Sequence, residues 1–110
     1  MRILLTGANG YVGRRLLPEL LSQGHEVICC VRDKNRLGLD KTTQERITIW
    51  EVDFLHTINL NNLPEKIDVA YYLIHSMTSS TSDFDVMEGK SAHNFNLYMN
   101  EIGVKQVIYL

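Results

Sequence analysis

The sequence predicts an α/β fold, a doubly wound parallel sheet with helices on both faces. Strand-like apolar runs alternate with helical patterns from one end of the 110-residue chain to the other. A glycine-rich turn joins the first strand to the first helix, and the second and fourth strands are apolar almost throughout. Such alternation favours parallel strands joined by right-handed crossovers, and continuous apolar strands are typical of a sheet covered on both faces.

The turn after the first strand is the most informative stretch of the chain. It reads Thr-Gly-Ala-Asn-Gly-Tyr-Val-Gly and lies between the apolar run Ile3–Leu5 and a helical pattern. We expect Gly7 to make the sharp exit from the strand, Gly10 to let a pyrophosphate approach the main chain, and Gly13 to bring the helix close to the sheet. The helix N-terminus would offer N–H groups and partial positive charge to the phosphates. An ordinary glycine-rich turn is the alternative.

The first half of the chain contains three predicted strands and one long helix. The helix has apolar residues at helical spacing and is followed by Gly24, which suits a C-terminal cap. The third strand is inferred from alternating apolar and polar residues. In chain order, the predicted elements are a strand over Arg2–Leu5, a helix over Tyr11–Ser22, a strand over Glu26–Val31, a loop with room for one helical turn over Asp33–Glu45, and a strand over Ile47–Val52.

The second half is predicted to contain two strands and a second long helix. Asp83 is the predicted N-cap of this helix, which runs through Glu101 and is stopped by Gly103. Its core-facing residues at helical spacing are Phe84, Met87, Ser91, Phe95, Tyr98, Met99 and Ile102. The other predicted elements are a short helix or turn over Ile58–Leu63, a strand over Val69–Ile74, a Ser/Thr-rich loop over Ser76–Ser82, and a strand over Val104–Leu110.

These elements imply the strand order 3-2-1-4-5, the order of the dinucleotide-binding half of a doubly wound sheet. We expect residues 1–110 to belong to one such domain. Because the chain stops in an apolar fifth strand with nothing to cover it, we expect it to be the N-terminal part of a longer polypeptide. An uncovered strand edge is an association site, so oligomerisation through the fifth strand is also expected.

Composition and charge narrow the class of protein further. The formal net charge of −2 gives no general attraction to nucleic acid or to an anionic membrane. No apolar run approaches the roughly 18 residues that span a bilayer, and no signal peptide precedes the first strand, so we expect a cytoplasmic protein. Cys29 and Cys30 are expected to be buried, reduced thiols on opposite faces of a strand. The four histidines are scattered without metal-ligand spacing, so no metal site is predicted.

Three stretches together resemble a known superfamily. The glycine turn with its three-and-three glycine spacing, Asp53-Phe54, and Asp68–Met77 are similar to the extended and atypical branches of the short-chain dehydrogenases/reductases. They most resemble NAD(P)-binding proteins that are like nucleoside-diphosphate-sugar epimerases, and the likeness covers essentially the whole chain. It implies a Rossmann-type fold that binds a nicotinamide dinucleotide. The turn residues that would contact this cofactor are Gly7, Asn9, Gly10, Tyr11, Val12 and Gly13.

The resemblance also implies contacts beyond the turn. Asp53 would contact the adenine amino group, and the backbone of Phe54 would lie beside the adenine ring; an Asp that only caps the loop after the third strand is the alternative. Leu73, Ile74 and His75 lie at the carboxyl end of the fourth strand, beside the crevice where ligands bind in open α/β sheets. Their backbone would line the ribose and pyrophosphate, although a lone His at a strand end, such as His75, is more often a structural group.

The end of the second strand indicates which dinucleotide is preferred. NAD enzymes place an acidic residue there to bind the ribose 2′-hydroxyl. This chain has Val31 at that position and Arg32 beside it, and a guanidinium can bind a 2′-phosphate through two hydrogen bonds. We therefore predict NADP as the cofactor. NAD stays the alternative because Asp33 would return an acid to the site if the strand ended one residue later.

Catalytic residues are not visible in this chain. Short-chain reductases use a Tyr with a Lys four residues later, which lowers the pKa of the phenol so that it can act as acid or base. None of the five tyrosines has a Lys at that spacing. Two hypotheses remain. One is an NADP-dependent oxidoreductase or epimerase-like enzyme whose catalytic residues lie beyond residue 110; the other is a non-catalytic NADP(H)-binding sensor or accessory module. The substrate is not indicated.

Overall fold

The chain forms one parallel five-stranded sheet with helices on both faces. The structure is a computed structural model; it describes residues 1–8, 10–33, 35, 38–54, 63–73 and 81–109, and for residues 81–88 the backbone alone. The strand order is β3-β2-β1-β4-β5, which confirms the predicted order. The elements are β1 (Arg2–Thr6), α1 (Tyr11–Ser22), β2 (Glu26–Val31), α2 (Lys41–Glu45), β3 (Thr48–Glu51), β4 (Val69–Tyr72), α3 (Thr81–Ile102) and β5 (Gln106–Tyr109).

The bounds of α1 and β2 coincide with those predicted. The end of α1 is closed by Gly24, whose φ of 82° is the left-handed conformation that glycine adopts without strain. The N–H of Gly24 donates to the carbonyl of Leu21 at 3.1 Å, and the N–H of His25 donates to the carbonyl of Leu20 at 3.2 Å. This paired pattern is a Schellman cap, so the cap inferred from Gly24 is confirmed.

Two predicted boundaries around α3 are wrong. The helix begins at Thr81, so Asp83 lies inside it and is not its N-cap, and the Ser/Thr-rich loop does not extend to Ser82. Ser and Thr are frequent both in loops and near helix starts, because their side chains bond nearby backbone in either setting. Composition alone therefore does not locate this boundary. The helix ends at Ile102, immediately before Gly103, as predicted.

Strands β3, β4 and β5 are shorter than their apolar runs. Two residues beyond the paired segments still contact the interior: Ile47 packs against one core cluster and Leu73 is buried in it. An apolar run in the sequence therefore indicates which residues are buried, and it can be longer than the hydrogen-bonded strand. The single helical turn predicted before β3 is present as α2, whose N-cap Asp40 accepts a 2.7 Å hydrogen bond from the N–H of Thr43. The predicted turn over residues 58–63 lies outside the described residues except for Leu63.

The two faces of the sheet carry separate apolar clusters. Leu17, Leu20 and Leu21 of α1 pack on one face, whereas Phe95, Tyr98 and Met99 of α3 pack on the other.

Cys29 and Cys30 belong to opposite clusters, as the alternation along a strand requires. Both are free and buried. Burial raises the pKa of the Cys29 thiol to about 12, and burial together with Cys29 raises the pKa of Cys30 well above its ordinary value. Both cysteines therefore remain neutral thiols that pack as small apolar groups.

The amino edge of the sheet is held by Asp68. Its carboxylate accepts a 2.8 Å hydrogen bond from the backbone N–H of Arg2, and the Lys105 ammonium lies 3.4 Å away. The carboxylate thus connects the residues that precede or begin β1, β4 and β5. The Arg2 N–H, and secondarily Lys105, lower the pKa of Asp68 below its ordinary value of 3.8.

The first prediction concerns pH. Because the pKa of Asp68 is lower in the folded chain than in the unfolded chain, its ionised form stabilises the fold at pH values above the unfolded pKa. This contribution is lost as the pH falls through the folded value. Asp68→Asn should therefore lower the thermal midpoint at pH 6, and the difference from the wild type should shrink as the pH falls below about 4. A difference that stays constant from pH 6 to pH 2 would contradict the role of the charge.

Candidate cofactor-binding site

The predicted site residues that the structure describes lie along one edge of the sheet. All strands are parallel, so their carboxyl ends point the same way. The glycine turn follows β1, Arg32 follows β2, Asp53-Phe54 follows β3 and Leu73 follows β4. We call this side the carboxyl edge. Asn9, Ile74 and His75 lie outside the described residues.

The glycine turn is built on close contact between backbones. Gly7 has a φ of 68°, and a Cβ at this position would lie 2.9 Å from the carbonyl oxygen of Leu73. A Cβ on Gly13 would collide with the Gly7 carbonyl oxygen and lie 2.8 Å from the Cα of Ala8. Side chains at either position would push the first turn of α1 away from β1 or β1 away from β4. These contacts explain two of the three glycines without reference to a ligand.

Gly10 differs from the other two glycines. Its backbone is extended, with φ −83° and ψ 177°, and a Cβ there would meet only the Gly7 carbonyl oxygen, at 3.3 Å. The Gly7 oxygen would have to shift by a few tenths of an ångström to admit such a group, so packing restricts Gly10 less than the other two glycines. Gly10 is the N-cap of α1 and has no side chain to bond the first helical N–H groups. Those N–H groups and the positive end of the helix dipole therefore point toward the carboxyl edge.

Tyr11 and Val12 contribute their backbone to this helix start. The Tyr11 ring is 73% exposed, and the Arg15 guanidinium lies 4.5 Å from its centroid. No acidic residue occupies the first turn of α1. An anion at the start of this helix would therefore meet backbone N–H groups and no opposing carboxylate from that turn.

Thr6 joins the two strands between which the order of the sheet reverses. Leu5 and Tyr71 are the last paired residues of β1 and β4. Beyond them, the fully buried Thr6 hydroxyl donates to the Tyr71 carbonyl and accepts from the Leu73 N–H, both at 2.9 Å. The hydroxyl thus replaces ladder bonds that the backbone no longer makes. It sets the floor of the crevice at which open α/β sheets bind ligands.

The end of β2 lies where the sequence places it. Val31 is the last strand residue and is buried, and Arg32 follows it exposed to solvent. The Asp33 carboxylate accepts a 2.9 Å hydrogen bond from the N–H of Asn35, so it stabilises the turn that follows. Arg32 thus lies next to the strand end, whereas at least one oxygen of the Asp33 carboxylate bonds the N–H of Asn35.

Asp53 and Phe54 form the exit of β3. Asp53 is partly buried, and Phe54 is buried with its ring edge-on to neighbouring aromatic rings. The Phe54 carbonyl accepts a 2.5 Å hydrogen bond from the side-chain amide of Asn94 on α3. The side chain of Phe54 is therefore a core group, and its carbonyl is bonded to Asn94.

The described residues contain no group of three or more His, Cys, Asp or Glu side chains that could hold a metal ion. Within the same part of the chain, no helix has both the length and the apolar character needed to cross a membrane.

A family model described as NAD(P)H-binding matches residues 7–110. The chain belongs to this NAD(P)H-binding family. The match begins at Gly7, one residue after Thr6, and includes the predicted cofactor-binding residues, so the chain is an NAD(P)-binding domain that resembles epimerases, dehydratases and reductases.

Solved structures and curated relatives of the NAD(P)H-binding domain agree with this assignment. A proposed NAD-dependent epimerase/dehydratase from Bacillus halodurans superposes with a TM-score of 0.77 at 27% identity over 99% of this chain and 50% of its own. A dTDP-6-deoxy-L-talose 4-dehydrogenase (NAD(+)) from Aggregatibacter actinomycetemcomitans is 54% identical over 33 residues, 30% of this chain and 12% of that protein. Dihydroflavonol 4-reductase from Zea mays is 39% identical over 57 residues, 46% of this chain and 16% of that protein. The chain thus spans half or less of these relatives.

Sequence reasoning missed two polar residues of the NAD(P)H-binding domain. Thr6 was read as part of the turn motif without a role of its own, and Asn94 was not singled out. A signal for Asn94 existed: it lies three residues after Ser91 and four before Tyr98, beside the predicted core face of α3. A polar residue at such a position must find a partner, although the sequence does not say which.

The second prediction tests Thr6. Thr6→Val keeps the shape of the side chain but leaves the buried Leu73 N–H unpaired, which costs about 1–3 kcal/mol of unfolding free energy. The backbone N–H of Leu73 should also lose protection against hydrogen exchange. Thr6→Ser keeps the hydroxyl and should preserve that protection, even though it loses a methyl group. Equal exchange of Leu73 in the Val and Ser variants would show that the hydroxyl does not hold this strand end.

Proposed function

We propose that this domain binds NADP, with the pyrophosphate at the first turn of α1, the 2′-phosphate at Arg32 and the adenine amino group at Asp53. The main support for this proposal comes from Gly10. Packing excludes a Cβ at Gly7 and Gly13 but restricts Gly10 much less, because a Cβ there would meet one atom at 3.3 Å. Approach of a phosphate to the backbone at the start of the helix is a further reason for glycine at this position.

The choice of NADP over NAD rests on the exit of β2. Val31 ends the strand without a carboxylate, and the exposed Arg32 guanidinium follows it directly. A guanidinium is suited to a 2′-phosphate, which a carboxylate would repel. The engagement of Asp33 with the N–H of Asn35 favours Arg32 as the group that reads the ribose. One relative is named for NAD(+), but its match covers only 30% of this chain. The preference for NADP over NAD is therefore tested by measuring the affinity of this protein for each cofactor.

For the whole protein, we propose an NADP-dependent oxidoreductase or an epimerase-like enzyme in which this domain holds the cofactor. The family membership and the names of the relatives support this class of activity. The second candidate is a module that binds NADP(H) without turnover; the absence of a Tyr-x-x-x-Lys spacing from residues 1–110 is expected under both candidates. NADPH oxidation by the full-length protein with carbonyl substrates distinguishes the two, because both bind the cofactor and only the enzyme consumes it.

The third prediction tests the pyrophosphate site. Gly10→Val in the full-length protein should fold but hinder phosphate contact with the helix start, and affinity for NADP should fall about 10- to 100-fold. Calorimetric titration measures the affinity, and circular dichroism checks the fold. Gly89→Ala is the control: it adds a side chain on α3 where a Cβ meets nothing within 4 Å, and it should bind as the wild type does. Wild-type affinity in folded Gly10→Val would remove the pyrophosphate from this turn.

The fourth prediction tests Arg32. A charge-assisted contact with the 2′-phosphate is worth about 1.5–3 kcal/mol, so Arg32→Ala should weaken NADP binding about 10- to 100-fold and leave NAD binding nearly unchanged. Lys105→Ala removes the same charge at the opposite, amino edge of the sheet, where Lys105 is 80% exposed. This control should change neither affinity. Equal losses for NADP and NAD in Arg32→Ala would show that the guanidinium does not read the 2′-phosphate.

A further inference from the structure

A buried hydrogen bond connects α3 to the exit of β3. The side-chain amide of Asn94, whose residue is 9% exposed, donates to the Phe54 carbonyl 40 positions earlier in the chain. The partner is a backbone carbonyl just outside the sheet, one residue after Asp53. Breaking the bond would leave that buried carbonyl without its partner, so the bond constrains the path of the backbone here.

The ring of Phe54 holds the same segment from the other direction. It is 3% exposed and packs edge-on against Trp50, Phe95 and Tyr98, with centroid distances of 6.2, 5.4 and 5.7 Å. Edge-to-face pairs of this kind are favourable beyond the area they bury. The ring anchors the segment to the core, but rotation about the backbone could still turn the preceding residue. The Asn94 bond to the carbonyl restricts that rotation.

We infer that Asn94 is a positioning residue for adenine recognition: by holding the Phe54 carbonyl, it fixes the direction of the Asp53 carboxylate. This inference rests on the proposed function, in which Asp53 accepts a hydrogen bond from the adenine amino group. Such a bond is directional and weakens steeply when its angle is poor. A recognition group therefore depends on supporting bonds that hold its backbone within a fraction of an ångström.

A second buried bond on the same helix separates this role from a general structural one. Three residues before Asn94, the Ser91 hydroxyl accepts a 2.9 Å hydrogen bond from the Tyr72 hydroxyl. Ser91 is also buried, at 2% exposure, and its bond also ties α3 to the sheet. That bond reaches β4 and does not touch the Asp53–Phe54 segment. Loss of either bond should destabilise the fold, but only loss of the Asn94 bond should alter adenine recognition.

The experiment compares NADP with its hypoxanthine analogue, in which a carbonyl oxygen replaces the adenine amino group. The readout is the ratio of the two dissociation constants for the full-length protein. An ionised acceptor for the amino group should give the wild type a preference for NADP of about tenfold or more. Asn94→Leu should lose most of that preference, and Ser91→Ala should keep it. If Asn94→Leu does not fold, Asn94→Ala leaves room for water to reach the carbonyl and serves instead.

A double-mutant cycle tests whether Asn94 acts through Asp53. Asp53→Ala should abolish the preference, and adding Asn94→Ala should then change the ratio no further. A preference that survives in the folded Asn94 variants, or that falls equally in Ser91→Ala, overturns the positioning role alone. A wild type that binds NADP without any preference overturns both this role and the Asp53 contact, but not the pyrophosphate site. Failure to bind NADP at all overturns the proposed function together with this inference.

Discussion

The contact between the first turn of α1 and the exit of β1 is the constraint on which the site depends. At Gly13 the helix backbone approaches the backbone of Gly7 and Ala8 so closely that there is no space for a Cβ. Gly7 also lies against the Leu73 backbone, so the same turn determines how β1 and β4 meet. The start of α1 is therefore placed at the crevice where the sheet reverses its order. In the proposed function, the free N–H groups at this helix start line the pyrophosphate site.

Polar groups in the interior concentrate near this crevice. Thr6, Ser91 and Asn94 are buried polar residues, and each has a hydrogen-bond partner on a strand or just beyond one. A buried polar group is costly unless it is paired, so such groups specify the geometry of what they bind. Thr6 secures the exit of β4 and Asn94 secures the exit of β3. Apolar packing could supply the stability of these elements but would not fix the direction of their backbone groups.

The family match and the fold concern cofactor binding, whereas the reaction depends on other residues. The NAD(P)H-binding match covers nearly the whole chain, and the sheet superposes closely on an epimerase/dehydratase-like structure. The proposed cofactor contacts lie at the carboxyl edge of the sheet. Chemistry on a substrate needs groups placed around the nicotinamide, and fold alone does not supply that information. The proposed cofactor contacts therefore follow from residues 1–110, whereas contacts with a substrate do not follow from them.

The sequence by itself determined the strand order, the bounds of α1 and β2, and the place of the glycine turn between β1 and α1. These features follow from local rules: hydrophobic period, cap chemistry, and the few residues that tolerate left-handed backbone or close contact. It misplaced the start of α3 because Ser and Thr serve loops and helix starts alike. Tertiary structure alone decided that packing restricts Gly10 less than Gly7 and Gly13. It also decided that Thr6 bonds Leu73 and that Asn94 bonds Phe54. The physical reason is distance along the chain: the partners lie 67 and 40 residues apart, and no local pattern identifies which buried group will meet another.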